Sequence, residues 1–213
     1  MNNLSFVRFR RLCAAALLTL VSSCGLLHPV TTPRPDLYSL DGAPRTAAQV
    51  APLTAPILIV SSPHAAAGFD SSRIIYTRAL HQLEYFAHSE WVDPPARMLA
   101  PLVVAAIEDT GAFHAVIAAP SAATGDMRLD IEIIRLQHEF ASTPSRAHFT
   151  LRAYIVDNTT RRVRAWREFD ASVPATSEDT YGGVVAANHA VQVVLEDLAA
   201  FCTTAAHSEQ IRK

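Results

Sequence analysis

Residues 127–140 read MRLDIEIIRLQHEF, a stretch in which apolar and polar side chains alternate over fourteen positions. Such alternation is typical of a β-strand with one buried face and one solvated face. The apolar phase runs as far as Ile133 and resumes one residue out of step at Ile134. A shift of this kind predicts a β-bulge near the middle of the strand.

Two further β-strands are predicted after it, over residues 148–156 and 163–173. The first has apolar residues at every second position, namely Phe149, Leu151, Ala153 and Ile155. The polar segment 157–160, DNTT, lies between the two strands and is typical of a turn. Three consecutive strands joined by short polar segments predict an antiparallel meander.

Two amphipathic helices are predicted to cover the sheet. The first has an apolar stripe at helical spacing, made of Met98, Leu99, Leu102, Val103, Ala106 and Ile107. Asp93 is its predicted N-cap, Gly111 its predicted C-terminal cap, and Pro101 should kink it. The second helix is predicted over residues 179–202, where the stripe is Val184, Ala187, Val191, Leu195, Leu198 and Phe201.

The remaining pattern completes an α+β fold. The aliphatic run ILIV at residues 57–60 predicts a central strand covered on both faces. Shorter strands are predicted at residues 36–40, 73–80, 82–87 and 115–118, with a hairpin around His81. We therefore expect a single domain with a mixed, largely antiparallel sheet covered by two amphipathic helices.

The composition favours a folded domain and argues against nucleic-acid binding. The chain has 213 residues, of which 50% are hydrophobic and 18% are charged, whereas disordered chains are poor in apolar residues. Its 18 basic and 20 acidic residues give a formal net charge of −2, so it has no excess of positive charge to neutralise phosphates. We interpret the densest basic run, at residues 161–167, as a solvated strand face.

The first 24 residues have the pattern of a bacterial export signal. Three arginines and no acidic residue precede an apolar segment of ten residues at 12–21, which is too short to span a bilayer as a mature anchor. Residues 21–24, VSSC, then resemble the lipobox, in which an aliphatic residue and two small residues precede an acylated cysteine. We predict that residues 1–23 are a signal peptide and that Cys24 is the lipidation site. A plain secretory signal is the alternative.

Lipidation at Cys24 would tether the domain to a membrane. Two or three acyl chains, at about 0.8 kcal/mol per buried methylene, make such an anchor effectively permanent. The Pro-rich segment 24–35 is typical of an extended tether. Residues 36–205 are the predicted domain and residues 206–213 a C-terminal tail.

The residue after the lipidation site predicts which membrane receives the anchor. Many Gram-negative lipoproteins are retained in the inner membrane by an aspartate where this chain has Gly25. We therefore expect the outer membrane, on its periplasmic face.

The cysteines and charges of the mature chain agree with this location. Removal of residues 1–23 would leave 15 basic and 20 acidic residues, a formal net charge of −5. Apart from Cys24, the mature chain has one cysteine, Cys202, so it forms no intramolecular disulfide. Cys202 lies in an apolar helical stretch, and we expect a buried, inert thiol.

Several stretches together resemble the ABC-type transport auxiliary lipoprotein family, which includes paraquat-inducible protein C. They are Cys24 after an export signal, the YSL of residues 38–40, the long segment 73–116, the AWREF of residues 165–169, and the last helix. Within the long segment the resemblance is carried by Tyr85, Trp91, Pro94, Pro95, Gly111, Phe113 and Val116. This chain departs from the family pattern at Pro101 and in the Ala-rich segment 65–68.

The resemblance implies a non-catalytic partner in transport. Members act in the periplasm with an ABC permease and ATPase and with an MCE-domain protein, in systems that move lipids or other hydrophobic molecules between membranes. At least one member forms a ring, so a homo-oligomeric ring is an expectation for this chain. A second hypothesis is an outer-membrane assembly lipoprotein that partners a β-barrel translocon.

A search for catalytic or metal-binding motifs finds none of the common ones. The nine histidines are scattered; His138 is predicted to point to the opposite face from Glu139, and His81 and Glu84 lack a third ligand nearby. We therefore predict no metal, no cofactor and no enzyme activity, while a hydrolase formed by distant residues is the third hypothesis. Trp91 is interpreted as a core residue at a helix entry, with partner docking as the alternative.

Overall fold

The computed structural model describes residues 34–42 and 51–210. The predicted signal peptide, Cys24 and most of the tether lie outside these residues. From Pro35 onward the chain forms one compact unit. Its described elements are β1 (Asp36–Tyr38), β2 (Ile57–Val60), β3 (His64–Ala65), β4 (Arg73–Thr77), β5 (Glu84–Trp91), α1 (Pro95–Glu108), β6 (Ala115–Ala118), β7 (Met127–Glu139), β8 (Arg146–Asp157), β9 (Val163–Pro174) and α2 (Thr180–Gln210).

Strand β7 organises the whole sheet. Along one edge it pairs with β8, which in turn pairs with β9, and both pairings are antiparallel. Along its other edge three short strands follow one another in parallel: β2 pairs with residues 127–129, β3 with residues 132–133 and β4 with residues 138–139. The longest pairings are antiparallel, so the predicted α+β fold with a mixed, largely antiparallel sheet is confirmed.

The predicted meander and its bulge are confirmed in β7, β8 and β9. The register of β7 against β8 shifts between Ile133 and Arg135, where the sequence pattern loses its phase. The shift restores apolar side chains to the same face, and Leu136 and His138 are buried there.

Two limbs extend from the parallel edge of β7. In one, β4 and β5 form the predicted hairpin, and His81 between them has a positive φ of 65°; β1 adds in parallel beside β5. In the other limb, β2 lies between β6 and β7 as predicted for a central strand. The expectation that both faces of β2 are covered was wrong, because Leu58 and Val60 are buried whereas Ile57 and Ile59 are half-buried.

Helix α1 carries the predicted stripe, but it begins differently from the prediction. Its N-cap is Pro94, with no side-chain hydrogen bond to the first turn. Asp93 is therefore not the N-cap; its carboxylate accepts a hydrogen bond from the Arg97 guanidinium at 3.0 Å. Pro101 lies inside the helix and is exposed to solvent. The C-cap is Asp109 and not Gly111 as predicted. Gly111 lies two residues further on, with a φ of 63°, and its N–H donates to the Glu108 carbonyl at 3.1 Å.

Helix α2 crosses the inner face of the meander, which is the face formed by the alternate apolar residues of β7, β8 and β9. By length and composition its Thr180–Ser208 segment could cross a bilayer, yet half of the apolar 18-residue window within it is buried in the domain. Its apolar residues pack on the sheet, the fully buried ones being Ala190, Val191, Leu198, Cys202 and Ala206. The predicted amphipathic helix is confirmed, and it extends to Gln210.

Candidate functional site

The lipidation site predicted at Cys24 lies outside the described residues, so it stays a prediction. Two other predictions, that Cys202 is buried and that Trp91 belongs to the core, are confirmed. Cys202 is fully buried, and burial raises the pKa of its thiol to about 12, which leaves it protonated and unreactive. Trp91 is 3% exposed and belongs to the core, as the structural interpretation predicted.

The outer face of the meander, opposite the face covered by α2, is a surface of paired charges. Arg135 donates hydrogen bonds to Thr150 and to Asp170, the latter at 3.0 Å. Burial raises the pKa of Asp170, but the hydrogen bonds from Thr150 and Arg135 outweigh it and hold the pKa below its usual value. Arg152 bridges Glu168 at 2.8 Å and Glu132 at 3.5 Å. Hydrogen bonds and ion pairs between β7, β8 and β9 therefore fix these charged side chains on the outer face.

One cluster on the outer face contains the residue types of a hydrolase. His148 lies between Glu139 and Ser172, with distances of 3.1 Å and 3.2 Å from its Nε2. The pKa of His148 is lowered, mainly by burial, although the Glu139 carboxylate acts in the opposite direction. In a Ser-His-acid site the serine and the carboxylate contact different ring nitrogens. Here both contact Nε2, and Ser172 Oγ also accepts a hydrogen bond from Arg146, so the cluster lacks the geometry of a triad.

A buried polar bridge joins β7 to the start of α2. His138 Nε2 lies 2.8 Å from Ser145 Oγ, and the backbone N–H of Ser145 donates to Glu178 at 2.9 Å. Hydrogen bonds from Ser145 hold the pKa of Glu178 below its usual value. The sequence gives no sign of this bridge, because Ser145 and Glu178 lie outside any periodic segment.

Gly183 of α2 packs directly on the His138 ring. A Cβ atom at Gly183 would lie 2.3 Å from His138 Nδ1, closer than van der Waals contact allows. Burial lowers the pKa of His138, although the nearby carboxylates of Glu178 and Asp179 act in the opposite direction. The glycine therefore lets a neutral histidine fill the junction between the helix and the sheet.

A groove of about 510 Å³ separates α1 from α2. Its walls are formed mainly by small or aliphatic side chains, including Leu102, Ala105, Leu195 and Ala199, and Glu196 lies on its rim. The volume falls in the range of small-molecule sites, about 300–1,000 Å³.

The basic run at residues 161–167 divides between paired and exposed side chains. Arg164 forms an ion pair with Asp157, and the backbone N–H of Thr160, together with Arg164, holds the pKa of Asp157 well below its usual range. Arg161 and Arg162 are exposed as predicted, but they lie in the turn before β9 and not on a strand face. Trp166, also exposed, stacks beside Tyr154 with ring centroids 6.4 Å apart.

No constellation for metal binding is found among residues 34–42 and 51–210: no three side chains of His, Cys, Asp or Glu come together in a suitable arrangement. The sequence-based pair of His81 and Glu84 gains no third ligand in this part of the chain.

Comparison with known proteins gives a consistent result. A family model described as "ABC-type transport auxiliary lipoprotein component" matches residues 38–199. A crystal structure of a DUF330 protein from Xanthomonas campestris is similar at 25% identity with a TM-score of 0.69, covering 83% of this chain and 99% of that chain. A crystal structure of an uncharacterized protein is similar in fold, at 12% identity and a TM-score of 0.62, covering 79% and 99% of the two chains.

No curated protein matches the chain. The family match nevertheless spans the sheet from the end of β1, helix α1 and the first twenty residues of α2, which is most of the chain. The chain therefore belongs to the family of ABC-type transport auxiliary lipoprotein components.

Proposed function

We propose that this protein is a lipid-anchored periplasmic auxiliary component of an ABC/MCE-type transport system that moves lipids or other hydrophobic molecules between membranes. The observation that carries the proposal is the family match over residues 38–199, which begins a short tether after the lipobox at residues 21–24. Its partners would be an MCE-domain protein and an ABC permease with its ATPase.

The anchor and the tether would determine where the domain is held and how far it reaches from the membrane. Acyl chains on Cys24 would hold the protein at the membrane permanently. The twelve residues 24–35 could span about 40 Å when extended, so the domain could reach partners that project from either membrane. Binding energy would come from a protein interface.

A non-catalytic role agrees with the chemistry of the described residues. Ser172 and Glu139 contact the same nitrogen of His148, which is unsuited to activating a serine. Cys202 is buried with a raised pKa. Other charged side chains of the outer face form ion pairs across the strands, among them Arg135 with Asp170 and Arg152 with Glu168.

The decisive experiment compares Cys24→Ala with Cys13→Ala in the full chain. Cys13 lies in the signal segment, so its variant controls for loss of a thiol without loss of the lipidation site. We expect Cys24→Ala to leave the membrane fraction and lose transport function while remaining folded. Wild type and Cys13→Ala should stay membrane-bound and co-purify from detergent extracts with an MCE-domain protein.

Two outcomes would contradict the proposal. Normal transport by the unanchored Cys24→Ala form would show that the lipid is dispensable. Co-purification with an outer-membrane β-barrel, and with no MCE-domain protein, would favour the assembly lipoprotein instead.

The membrane that receives the anchor can be tested at Gly25. We expect wild type and Gly25→Ala in outer-membrane fractions of a density gradient, and Gly25→Asp in inner-membrane fractions. Wild type in the inner-membrane fractions would contradict the outer-membrane assignment and leave the transport role intact.

A further inference from the structure

The turn between β4 and β5 is an exposed apolar tip. Residues 78–83, RALHQL, connect the two strands and form this hairpin tip. Leu80 is 90% exposed and Leu83 is 51% exposed. Ala67 and Gly68 are exposed next to Leu83, since a Cβ atom at Gly68 would lie 3.8 Å from Leu83 Cδ1. The apolar surface of the hairpin tip therefore extends onto the Ala-rich segment.

The charge of the hairpin tip suits an anionic surface. The tip has no acidic residue, while Arg78 and His81 are exposed on it. Glu84, which follows the tip, accepts a hydrogen bond from the Tyr76 hydroxyl at 2.8 Å. At a membrane surface leucine side chains enter the acyl layer, whereas an arginine extends its guanidinium to the lipid phosphates. The two exposed leucines and Arg78 therefore have the chemistry of a shallow membrane contact.

The sheet topology places the hairpin tip at one end of the domain. β4 runs parallel to β7 and pairs with residues 138–139, so the tip follows at the carboxyl end of β7. The opposite end of β7, at Met127, is about 40 Å away, because a strand rises about 3.3 Å per residue. Leu53, which is 86% exposed, lies at that opposite end, since the pairing of β2 with β7 starts at Met127. The domain therefore exposes a leucine almost completely at each end.

The tether joins the domain from the side of the hairpin tip. β1 runs parallel to β5 and pairs Asp36 with Ser89. Because β5 begins at the tip, the chain enters β1 from the same direction. Ser89 is six residues from Leu83, which is at most about 22 Å of chain. Twelve residues separate Cys24 from Asp36 and span up to about 40 Å, so an anchor at Cys24 lets the tip reach the membrane that holds it.

The other connections at the tip end have little uncompensated charge. Residues 140–145, between β7 and β8, have no charged side chain. Glu178 and Asp179 precede α2, and their carboxylates accept backbone N–H groups of Ser145 at 2.9 Å and Gly182 at 2.8 Å. These donors and the positive N-terminus of α2 offset part of the repulsion that an anionic surface would exert.

We propose that the hairpin tip inserts Leu80 and Leu83 into the bilayer that holds the protein's own lipid anchor, with Arg78 at the lipid phosphates. The inference rests on the anchor of the proposed function and adds an orientation to it. The carboxyl end of β7 faces the membrane, and the Met127 end faces away from it. In a cyclic ring every subunit presents the same end to one side, so a ring of this chain would place all of its tips on one membrane-facing rim.

The first test places a fluorophore on the full lipidated chain, reconstituted into vesicles of phosphatidylethanolamine and phosphatidylglycerol. Cys202 is buried and unreactive, and Cys24 would be acylated. A single added cysteine can therefore be labelled selectively with a nitrobenzoxadiazole dye, whose emission shifts to the blue in an apolar environment.

Two positions for the dye form a matched pair. Gln82→Cys labels an exposed polar position beside Leu83, and Thr54→Cys labels an exposed polar position beside Leu53 at the other end of the domain. Lipids with a spin label on the acyl chain should quench most of the emission at residue 82, which should also shift to the blue. The dye at residue 54 should be unaffected.

The second test removes apolar side chains while the dye stays at residue 82. Leu80→Ser together with Leu83→Ser should abolish the quenching, because the tip then has no large apolar side chain to bury. Leu53→Ser is the control and should leave the quenching intact, since it removes a leucine of similar exposure at the other end.

A charge reversal tests the contact with the lipid phosphates in the same way. Arg78→Glu should weaken the quenching at residue 82, because the tip would then be repelled by phosphatidylglycerol. Arg162→Glu is the control: it makes the same change at an exposed site in the turn before β9 and should have no effect. Far-UV circular dichroism would verify that all variants fold.

Flotation of the vesicles separates failure of the orientation from failure of the anchor. Wild-type protein that does not float with the vesicles would lack the anchor and would contradict the proposed function together with the orientation. Vesicle-bound protein with no quenching at residue 82, or with equal quenching at residues 82 and 54, would overturn the membrane-facing tip and leave the anchor intact.

Two further outcomes would also overturn the membrane contact. Quenching at residue 82 that persists in Leu80→Ser with Leu83→Ser would show that the leucines do not insert. A dye at residue 82 that is unquenched in vesicles, but shifts to the blue when an MCE-domain protein is added, would assign the tip to a protein partner.

Discussion

The two faces of the meander are built from the same three strands but differ in burial and in charge. On the inner face, Phe149, Leu151 and Ile155 are fully buried beneath α2. On the outer face, the alternate residues form ion pairs such as Arg135 with Asp170. Buried apolar surface stabilises a fold far more than exposed ion pairs do. The inner face therefore supplies the stability, and the outer face is available for contacts with other molecules.

The largest effect is expected at the centre of the inner face. Phe149→Ala removes a fully buried ring and should lower the free energy of unfolding by about 3–5 kcal/mol, measured by chemical denaturation. Phe149→Leu retains much of the volume and is the matched control, with a clearly smaller loss. A loss below about 1 kcal/mol for Phe149→Ala would mean that the site collapses around the cavity and that this face is not tightly packed.

The next effect concerns the contact between α2 and β7. Gly183→Ala places a Cβ atom against the His138 ring and should destabilise the fold by about 1–3 kcal/mol through overpacking. With His138→Ala already present, the same change should instead stabilise, because alanine is favoured over glycine in a helix by about 0.5–1 kcal/mol. Additive effects in this double-mutant cycle would contradict direct packing.

A smaller effect on the free energy of unfolding is expected from the protonation of His138 as the pH falls. Burial holds the pKa of His138 below its ordinary value of 6.5, so the unfolded chain binds a proton at a higher pH than the folded chain does. The stabilising contribution is complete above about pH 6.5 and is lost as the pH falls below that value towards the folded-state pKa.

Unfolding free energies measured from about pH 7 to about pH 5 should therefore decline less in His138→Gln than in wild type. His207→Gln, at an exposed site near the end of α2, is the control and should follow wild type. The prediction fails if His138→Gln and wild type decline in parallel, since the acidic loss would then arise elsewhere.

Local periodicity was sufficient to predict the meander and α2. Alternation predicted β7, β8 and β9, and the loss of phase at Ile134 predicted the bulge, because each signal is contained within one strand. The sequential parallel pairing of β2, β3 and β4 along β7 was not predictable, since it joins segments far apart in the chain. The N-cap of α1 was misplaced because Asp93 binds a side chain, Arg97, in place of the backbone.

The candidate surfaces were less accessible to sequence reasoning than the fold. Alternation placed Trp166 on a solvated face, but it could not show that β9 is an edge strand or that Tyr154 lies beside the ring. The bridge from His138 through Ser145 to Glu178 depends on three segments brought together by folding. By contrast, the lipidation prediction at Cys24 depends only on a short linear motif, which explains why the sequence could address it directly.

The smallest effect is expected from an ion pair on the outer face. The Arg135 and Asp170 side chains are 34% and 52% exposed, so solvent screens their attraction. A double-mutant cycle with Arg135→Ala and Asp170→Ala should give a coupling of about 1 kcal/mol or less. The coupling should shrink further when the salt concentration is raised from about 0.1 M to about 1 M, since the Debye length falls from about 10 Å to about 3 Å. A larger coupling that persists at high salt would show that ion pairs of the outer face contribute substantially to the free energy of unfolding. It would contradict the claim that the inner face supplies the stability.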